Sequence, residues 1–207
     1  VNILENFQGE ILMEEVETST VNISGGSAVI NNIENSQIDI KGGDTILSNI
    51  EENSLVNQTN GNLTLTDNVN DSVIKVTGGN ATVGSGEGRV DLKDSSLIIG
   101  DEEGLTNVSA NIAADEIKGG EITINANSEL NADNGTIAAS INGAGTINKT
   151  GDSTLTFSSL EGANGTSFTG TINATGGTVN LGYRLDEDAD VNLTDTILNY
   201  SASGSLS

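Results

Sequence analysis

The chain has 207 residues, 30 of them acidic and 7 basic, for a net charge of −23; aromatics make up 2%, and Trp, Pro, His and Cys are absent. These numbers exclude disulfide stapling and any Cys- or His-based nucleophile. The five Lys and two Arg are scattered, so a nucleic acid or an anionic membrane surface finds no basic cluster to neutralise it, and any core must be thin layers of Ile, Val, Leu and Ala.

The opening "VNILENFQGE" has no basic segment followed by an apolar one, so no secretory leader is read there. No run approaches the ~20 apolar residues needed to cross a bilayer. The chain is therefore read as a piece of a longer protein whose targeting and anchoring segments lie elsewhere.

A repeat begins at Ser19. Four segments align on their glycines, with leading serines at Ser19, Ser36, Ser54 and Ser72. One position is shared by Val21, Ile38, Val56 and Ile74, and the one two residues on by Ile23, Ile40, Gln58 and Val76. Alternation at period two places these side chains on one face of a strand. After a Gly-Gly or Asn-Gly turn, Ala28, Thr45, Leu63 and Ala81 align, followed by Ile30, Leu47, Leu65 and Val83. A third inward position comes after a corner, at Ile33, Ile50 and Val69, each preceded by an asparagine: Asn32, Asn49 and Asn68.

Three short apolar ribbons per eighteen residues share a core only by stacking coil on coil. The sequence therefore predicts an all-β parallel β-helix, a solenoid of roughly 9–11 coils at about 18–22 residues each. A hairpin meander is the rival, since the same turns join antiparallel strands. It gives no reason for Gly-Gly turns and Asn-Ile corners to alternate in fixed order. Ile38, Ile40, Leu47 and Ile50 are expected in the core of one coil. Asn32, Asn49 and Asn68 are expected either to form a stacked column that satisfies corner amides or to stand as exposed turn residues.

From about Val83 the strict spacing fades while the alternating style continues. Residues 1–207 are accordingly read as a single β-helix segment, with 18-residue coils over about 19–84 and less regular coils over 85–142. The stretch "LTNVSANIAADEIKGG" from Leu105 alternates little and reads as a loop or slight bulge.

Residues 143–181 carry Gly143-x-Gly145-Thr146-Ile147, Lys149-x-Gly151, Thr154-Leu155-x-Phe157, Phe168-x-Gly170 and Gly177-x-Val179-x-Leu181. This combined spacing resembles the autotransporter-associated repeat of bacterial type V secreted passengers, with Ser153 standing where that family usually has a further glycine. Coils over 182–207 complete the chain. The resemblance implies a right-handed parallel β-helix passenger on a bacterial outer surface, extracellular and anchored by a C-terminal translocator outside this chain. Passengers of this kind are usually adhesins or self-associating factors and in a minority enzymes, so the resemblance implies adhesion or self-association, with virulence or biofilm formation as the setting.

The residues themselves offer little chemistry. Sugar-cleaving β-helices use clustered carboxylates or calcium with a basic residue, and here Arg89 or Arg184 would have to face such a cluster. A polysaccharide-processing enzyme is the alternative function. Asp101-Glu102-Glu103 and Asp186 to Asp190 are consecutive, so on a strand they alternate faces. Asp186-x-Asp188-x-Asp190 imitates the start of an EF-hand loop, but Val191 and Ile197 stand where Gly and Glu are required. No metal or cofactor is expected. Twelve Asn-x-Ser/Thr triplets occur, at Asn22, Asn57, Asn62, Asn70, Asn80, Asn107, Asn134, Asn148, Asn164, Asn173, Asn192 and Asn199. They follow from a composition rich in these residues, unless a surface glycosylation system uses some of them. The expected function is a non-catalytic segment of a cell-surface adhesin, meeting a host protein or glycan, or the same protein on a neighbouring cell. Nucleic acid binding and membrane insertion by this segment are not expected.

Overall fold

The computed structural model describes residues 1–201 apart from 6, 86–87, 160–166 and 183–184. Among the described residues every strand pairing is parallel and no helix occurs. The strands stack as a β-solenoid of about ten turns, each turn contributing to three faces. At the ~4.8 Å strand spacing, ten turns rise about 45 Å.

Face 1 runs through Thr20–Ile23, Gln37–Ile40, Leu55–Gln58 and Val73–Val76, then Ser96–Ile99 and Glu121–Ile124. Face 2 is carried through all ten turns, from Glu10–Met13 at one end to Asp190–Thr194 at the other. Face 3 begins at Val16–Glu17, passes Ile33, Ile50 and Val69, and ends at Ile197–Tyr200.

Register follows the apolar alternation. Val21 pairs with Ile38, Ile38 with Val56 and Val56 with Ile74; Ile30, Leu47, Leu65 and Val83 form the corresponding stack on face 2. A one-residue slip would turn each of these side chains to solvent. Ile38, Ile40, Leu47 and Ile50 are all buried in one continuous core, with coil neighbours above and below. Each coil buries little on its own, so neighbours supply the rest of its core.

The turn from face 1 to face 2 depends on glycine. Gly43 sits at φ +80°, and a Cβ there would meet the carbonyl oxygen of Gly26 in the coil before at 2.5 Å. Only a residue without a side chain satisfies both the left-handed backbone and the close stacking.

Coil length varies beyond the regular region. Asp44 pairs with Asn62, eighteen residues on, whereas Asn80 pairs with Ser109, 29 residues on. Much of that excess is the strandless segment 100–108 between Ser96–Ile99 and Ser109–Ile112. The expectation of a loop or bulge from Leu105 therefore needs correction past residue 108. Ser109–Ile112 and Glu116–Lys118 are regular strands in the stack, with Ala110, Ile112 and Ile117 facing inward. Alanine at inward positions hid the alternation, because its small side chain reads as neither clearly core nor clearly surface.

Candidate interaction face

Two kinds of hydrogen-bonded column run along the solenoid, one inside a corner and one on the surface. The inner column stands where face 3 turns back to face 1. Ser19 N–H donates to Ser36 Oγ at 3.0 Å, Ser36 N–H to Ser54 Oγ at 3.2 Å, Ser54 N–H to Ser72 Oγ at 3.2 Å and Ser72 N–H to Ser95 Oγ at 3.1 Å. Each of these accepting hydroxyls in turn donates to a backbone carbonyl, as Ser54 Oγ does to Glu51 at 2.6 Å. The residue before each serine has a left-handed backbone: Thr18, Asn35, Asn53, Asp71 and Asp94. Asn and Asp favour that region because a short polar side chain eases it. The corner thus turns in one step, and the buried serine satisfies the amide that the turn frees.

The surface column lies on face 2. Asn131 Nδ2 donates to Asn111 Oδ1 at 3.1 Å, Asn148 to Asn131 at 3.0 Å, Asn173 to Asn148 at 3.2 Å and Asn192 to Asn173 at 3.0 Å. These five residues are register partners in successive coils, so the ladder rises about 19 Å. Each carboxamide has two N–H donors and two acceptor lone pairs. Asn173 uses one of each along the column, whereas Asn131 and Asn148 also donate to Ser109 Oγ at 2.7 Å and Glu129 Oε2 at 3.2 Å, so what these two leave open is acceptor capacity. Two residues earlier on each strand stand Ser109, Glu129, Thr146, Thr171 and Asp190.

At the other end the same outward positions are filled differently. Leu12, Val29 and Ile46 are register partners, with Leu12 61% and Ile46 41% exposed; Thr64 and Thr82 follow. Face 2 therefore grades from aliphatic through threonine to asparagine over its length.

Asn49 Nδ2 donates to Asn32 Oδ1 at 3.1 Å, and Asn32 Nδ2 to the Glu14 carbonyl at 3.0 Å. Both asparagines have left-handed backbones, at φ 49° each. Asn68 does not: its backbone lies outside that region, and among the described residues its side chain adds no rung. The column is two residues long, and it joins side chains to each other more than to corner amides.

Three buried polar side chains interrupt the apolar columns. Thr45 sits between Ala28 and Leu63, and its Oγ1 takes no hydrogen bond among the described residues. Gln58 sits between Ile40 and Val76, where Nε2 donates to the carbonyls of Gly61 at 2.9 Å and Asn80 at 2.8 Å while Oε1 takes no hydrogen bond among the described residues. Lys149, 1% exposed, turns its ammonium onto the carbonyls of Thr150 at 3.2 Å and Gly151 at 2.6 Å. Its register partner is the small Ala174. The Lys149-x-Gly151 spacing thus has a local physical meaning: the lysine pins the turn that follows its own strand.

Acidic groups gather in one column on face 3. Glu17 pairs in register with Glu34, and Glu34 with Glu51. A hydrogen bond with Glu15, the charge of Glu15 and then that of Glu34 hold the Glu17 carboxyl above its ordinary value. Asp101 lies below its ordinary value, chiefly because the Thr106 N–H donates to it at 2.9 Å, with the Thr106 hydroxyl adding a second bond at 3.0 Å. Glu102 and Glu103 are exposed. Asp186 accepts the Asp188 N–H at 3.1 Å in a local turn. No group of three or more Asp or Glu among the described residues is placed to hold a metal ion. Arg89 is an exposed register partner of Glu116, and Arg184 lies outside the described residues. A depression of about 340 Å³ follows the serine corner beside Thr18, Asn35 and Asn53, and another of about 530 Å³ lies at the first coil beside Glu15 and Glu17. Neither includes a basic side chain.

Sequence reading alone does not find the asparagine ladder. Its rungs are separated by 20, 17, 25 and 19 residues, so no fixed period exposes it. A signal is present in the local pattern: Ala110-Asn111-Ile112, Leu130-Asn131-Ala132, Ile172-Asn173-Ala174 and Val191-Asn192-Leu193 all place Asn between two apolar residues. Comparison with protein-family models, with curated proteins and with solved structures yields no match to this chain.

Proposed function

We propose that this chain is a non-catalytic segment of a bacterial surface adhesin of the autotransporter type, displayed outside the cell and binding through the polar part of face 2. The observation that carries this reading is the asparagine ladder, unbroken over five coils and flanked by a column containing Thr146 and Thr171. The second lone pair of each accepting Oδ1 and the second N–H of Asn173 and of Asn192 are left for a partner, a line of hydrogen-bonding groups with no single pocket. Each hydrogen bond is worth about 0.5–1.5 kcal/mol, so useful affinity comes from several rungs together and from many copies on one cell. A protein or glycan surface with its own donors and acceptors is a suitable partner, as is the same face on a neighbouring cell.

The net charge of −23 adds a distinguishing property. Two such chains repel at long range, and salt shortens that repulsion from about 30 Å at 10 mM to about 8 Å at 150 mM. Cells displaying the parent protein are therefore expected to clump more as salt rises over this range. Asn148→Asp with Asn173→Asp, which replaces two donors by charged acceptors, is expected to abolish the clumping or the attachment to host cells while leaving the protein folded. Attachment that survives this double change, or that vanishes on one alanine substitution far from face 2, would replace the ladder by a pocket elsewhere.

A further inference from the structure

The twelve Asn-x-Ser/Thr triplets look equivalent in the sequence, and the fold separates them. Eight of these asparagines donate from Nδ2 into a rung with a neighbouring coil. Asn70 is half-buried, and the hydroxyl of its Ser72 is sealed in the serine column. Asn164 lies outside the described residues. Asn107 and Asn134 differ from all of these: both are exposed, both lie outside any strand, and among the described residues neither side chain takes a hydrogen bond.

We propose that Asn134, and with it Asn107, are acceptor sites for N-linked glycosylation. The amide Nδ2 would form a bond to the anomeric carbon of a sugar activated as a diphosphate ester, the diphosphate carrier would leave, and the transferase would take the amide proton. A free Nδ2 is the first requirement, because a nitrogen held against the next coil is blocked on the side of its rung. A free hydroxyl two residues on is the second, and Asn134 meets it better. Gly135 follows it, and the Thr136 hydroxyl takes no hydrogen bond among the described residues, whereas the Ser109 hydroxyl of the Asn107 triplet accepts from Asn131 Nδ2 at 2.7 Å.

Placement gives the modification a role. Asn107 lies two residues before Ser109–Ile112, and Asn134 two residues after Glu129–Ala132, and these strands are neighbours on face 2. Sugars at the two positions would rise at opposite margins of the ladder and leave its rungs open. This inference rests on accessibility to a transferase and not on the adhesive reading.

The experiment is glycopeptide mapping of the parent protein isolated from the cells that produce it. Sugar mass increments are expected on the peptides carrying Asn134 and Asn107. Asn134→Gln and Asn107→Gln should each remove its own increment; Thr136→Ala should remove the one at Asn134, and Thr136→Ser should keep it. Unmodified asparagine at both positions, or sugar on Asn148 or Asn173, overturns the proposal. The measurement reads mass alone, so its outcome is independent of whether the protein adheres.

Discussion

The coils from Ser19 to Val83 and those from Ser109 to Tyr200 build the same face 2 by different means. In the first group the spacing stays at 17–18 residues, and the serine column fixes one corner of each turn. In the second the spacing ranges from 17 to 25 residues across the rungs of the ladder, yet the ladder is unbroken. The comparison teaches that strand register, not coil length, makes a solenoid face. Extra residues leave at corners, as at 100–108, and the chain returns to the same inward and outward alternation.

The largest expected effect tests the shared core. Ile40 is buried between Ile23 and Gln58. Ile40→Asp places a charge with no partner there and is expected to cost about 3–5 kcal/mol, with unfolding spreading to neighbouring coils. Thermal unfolding followed by circular dichroism measures it. A midpoint that hardly moves would show that coils do not depend on one another in this way.

In the second group the corresponding weak point is Lys149. Lys149→Ala removes a buried stem and leaves the carbonyls of Thr150 and Gly151 without their donor. The expected cost is about 2–4 kcal/mol. An unchanged denaturation midpoint would mean that the turn after this strand holds without the lysine.

The two ladders give the sharpest contrast. Ser54 is buried; its hydroxyl accepts from Ser36 N–H and donates to the Glu51 carbonyl. Ser54→Ala leaves a buried amide unpaired, at about 1–3 kcal/mol. Asn173 makes as many rungs, but at the surface, where water replaces them. Asn173→Ala is expected to cost about 0.5–1 kcal/mol. Comparing the two variants in one denaturation series decides whether the inner column holds the fold and the outer one is free for binding. Equal costs would remove that division.

Legibility in the sequence follows the same boundary. Where all corners are short, the apolar pairs Val21 with Ile38 and Ile30 with Leu47 can be read directly, because a fixed spacing makes inward positions coincide. The leading serines are visible as markers of the repeat, but not as a hydrogen-bonded column. That role depends on the left-handed residue before each, a backbone property that Asn35 or Asp71 permits without dictating. The ladder at Asn111 to Asn192 stays hidden because corner insertions shift each rung, and distant residues meet only through register. Asn68 marks the opposite case: it matches Asn32 and Asn49 in sequence position, but not in backbone conformation.

The smallest expected effect is a difference in pH response between the coil that leads into the first group and the insertion at 100–108 that separates the two groups, set by two carboxyls shifted in opposite directions. Glu17 is held above its ordinary 4.5 by Glu15 first, with Glu34 and Glu52 adding like charge. Its folded state favours the proton, so its contribution is fully present below the ordinary value and is lost as pH rises through the raised one. Asp101 is held below its ordinary 3.8 by the Thr106 bonds, so its contribution is present above that value and is lost as pH falls through the lowered one. Amide hydrogen exchange, corrected for the intrinsic rate at each pH, separates the two. Protection around Glu17 and Glu34 should be greater near pH ~4 than near pH ~7. The Thr106 amide, which donates to Asp101, should remain protected near pH ~4 and lose protection only in stronger acid, and Asp101→Asn should weaken that protection at every pH. Loss of Thr106 protection already near pH ~5 would mean that the Asp101 carboxylate does not hold the 101–106 turn.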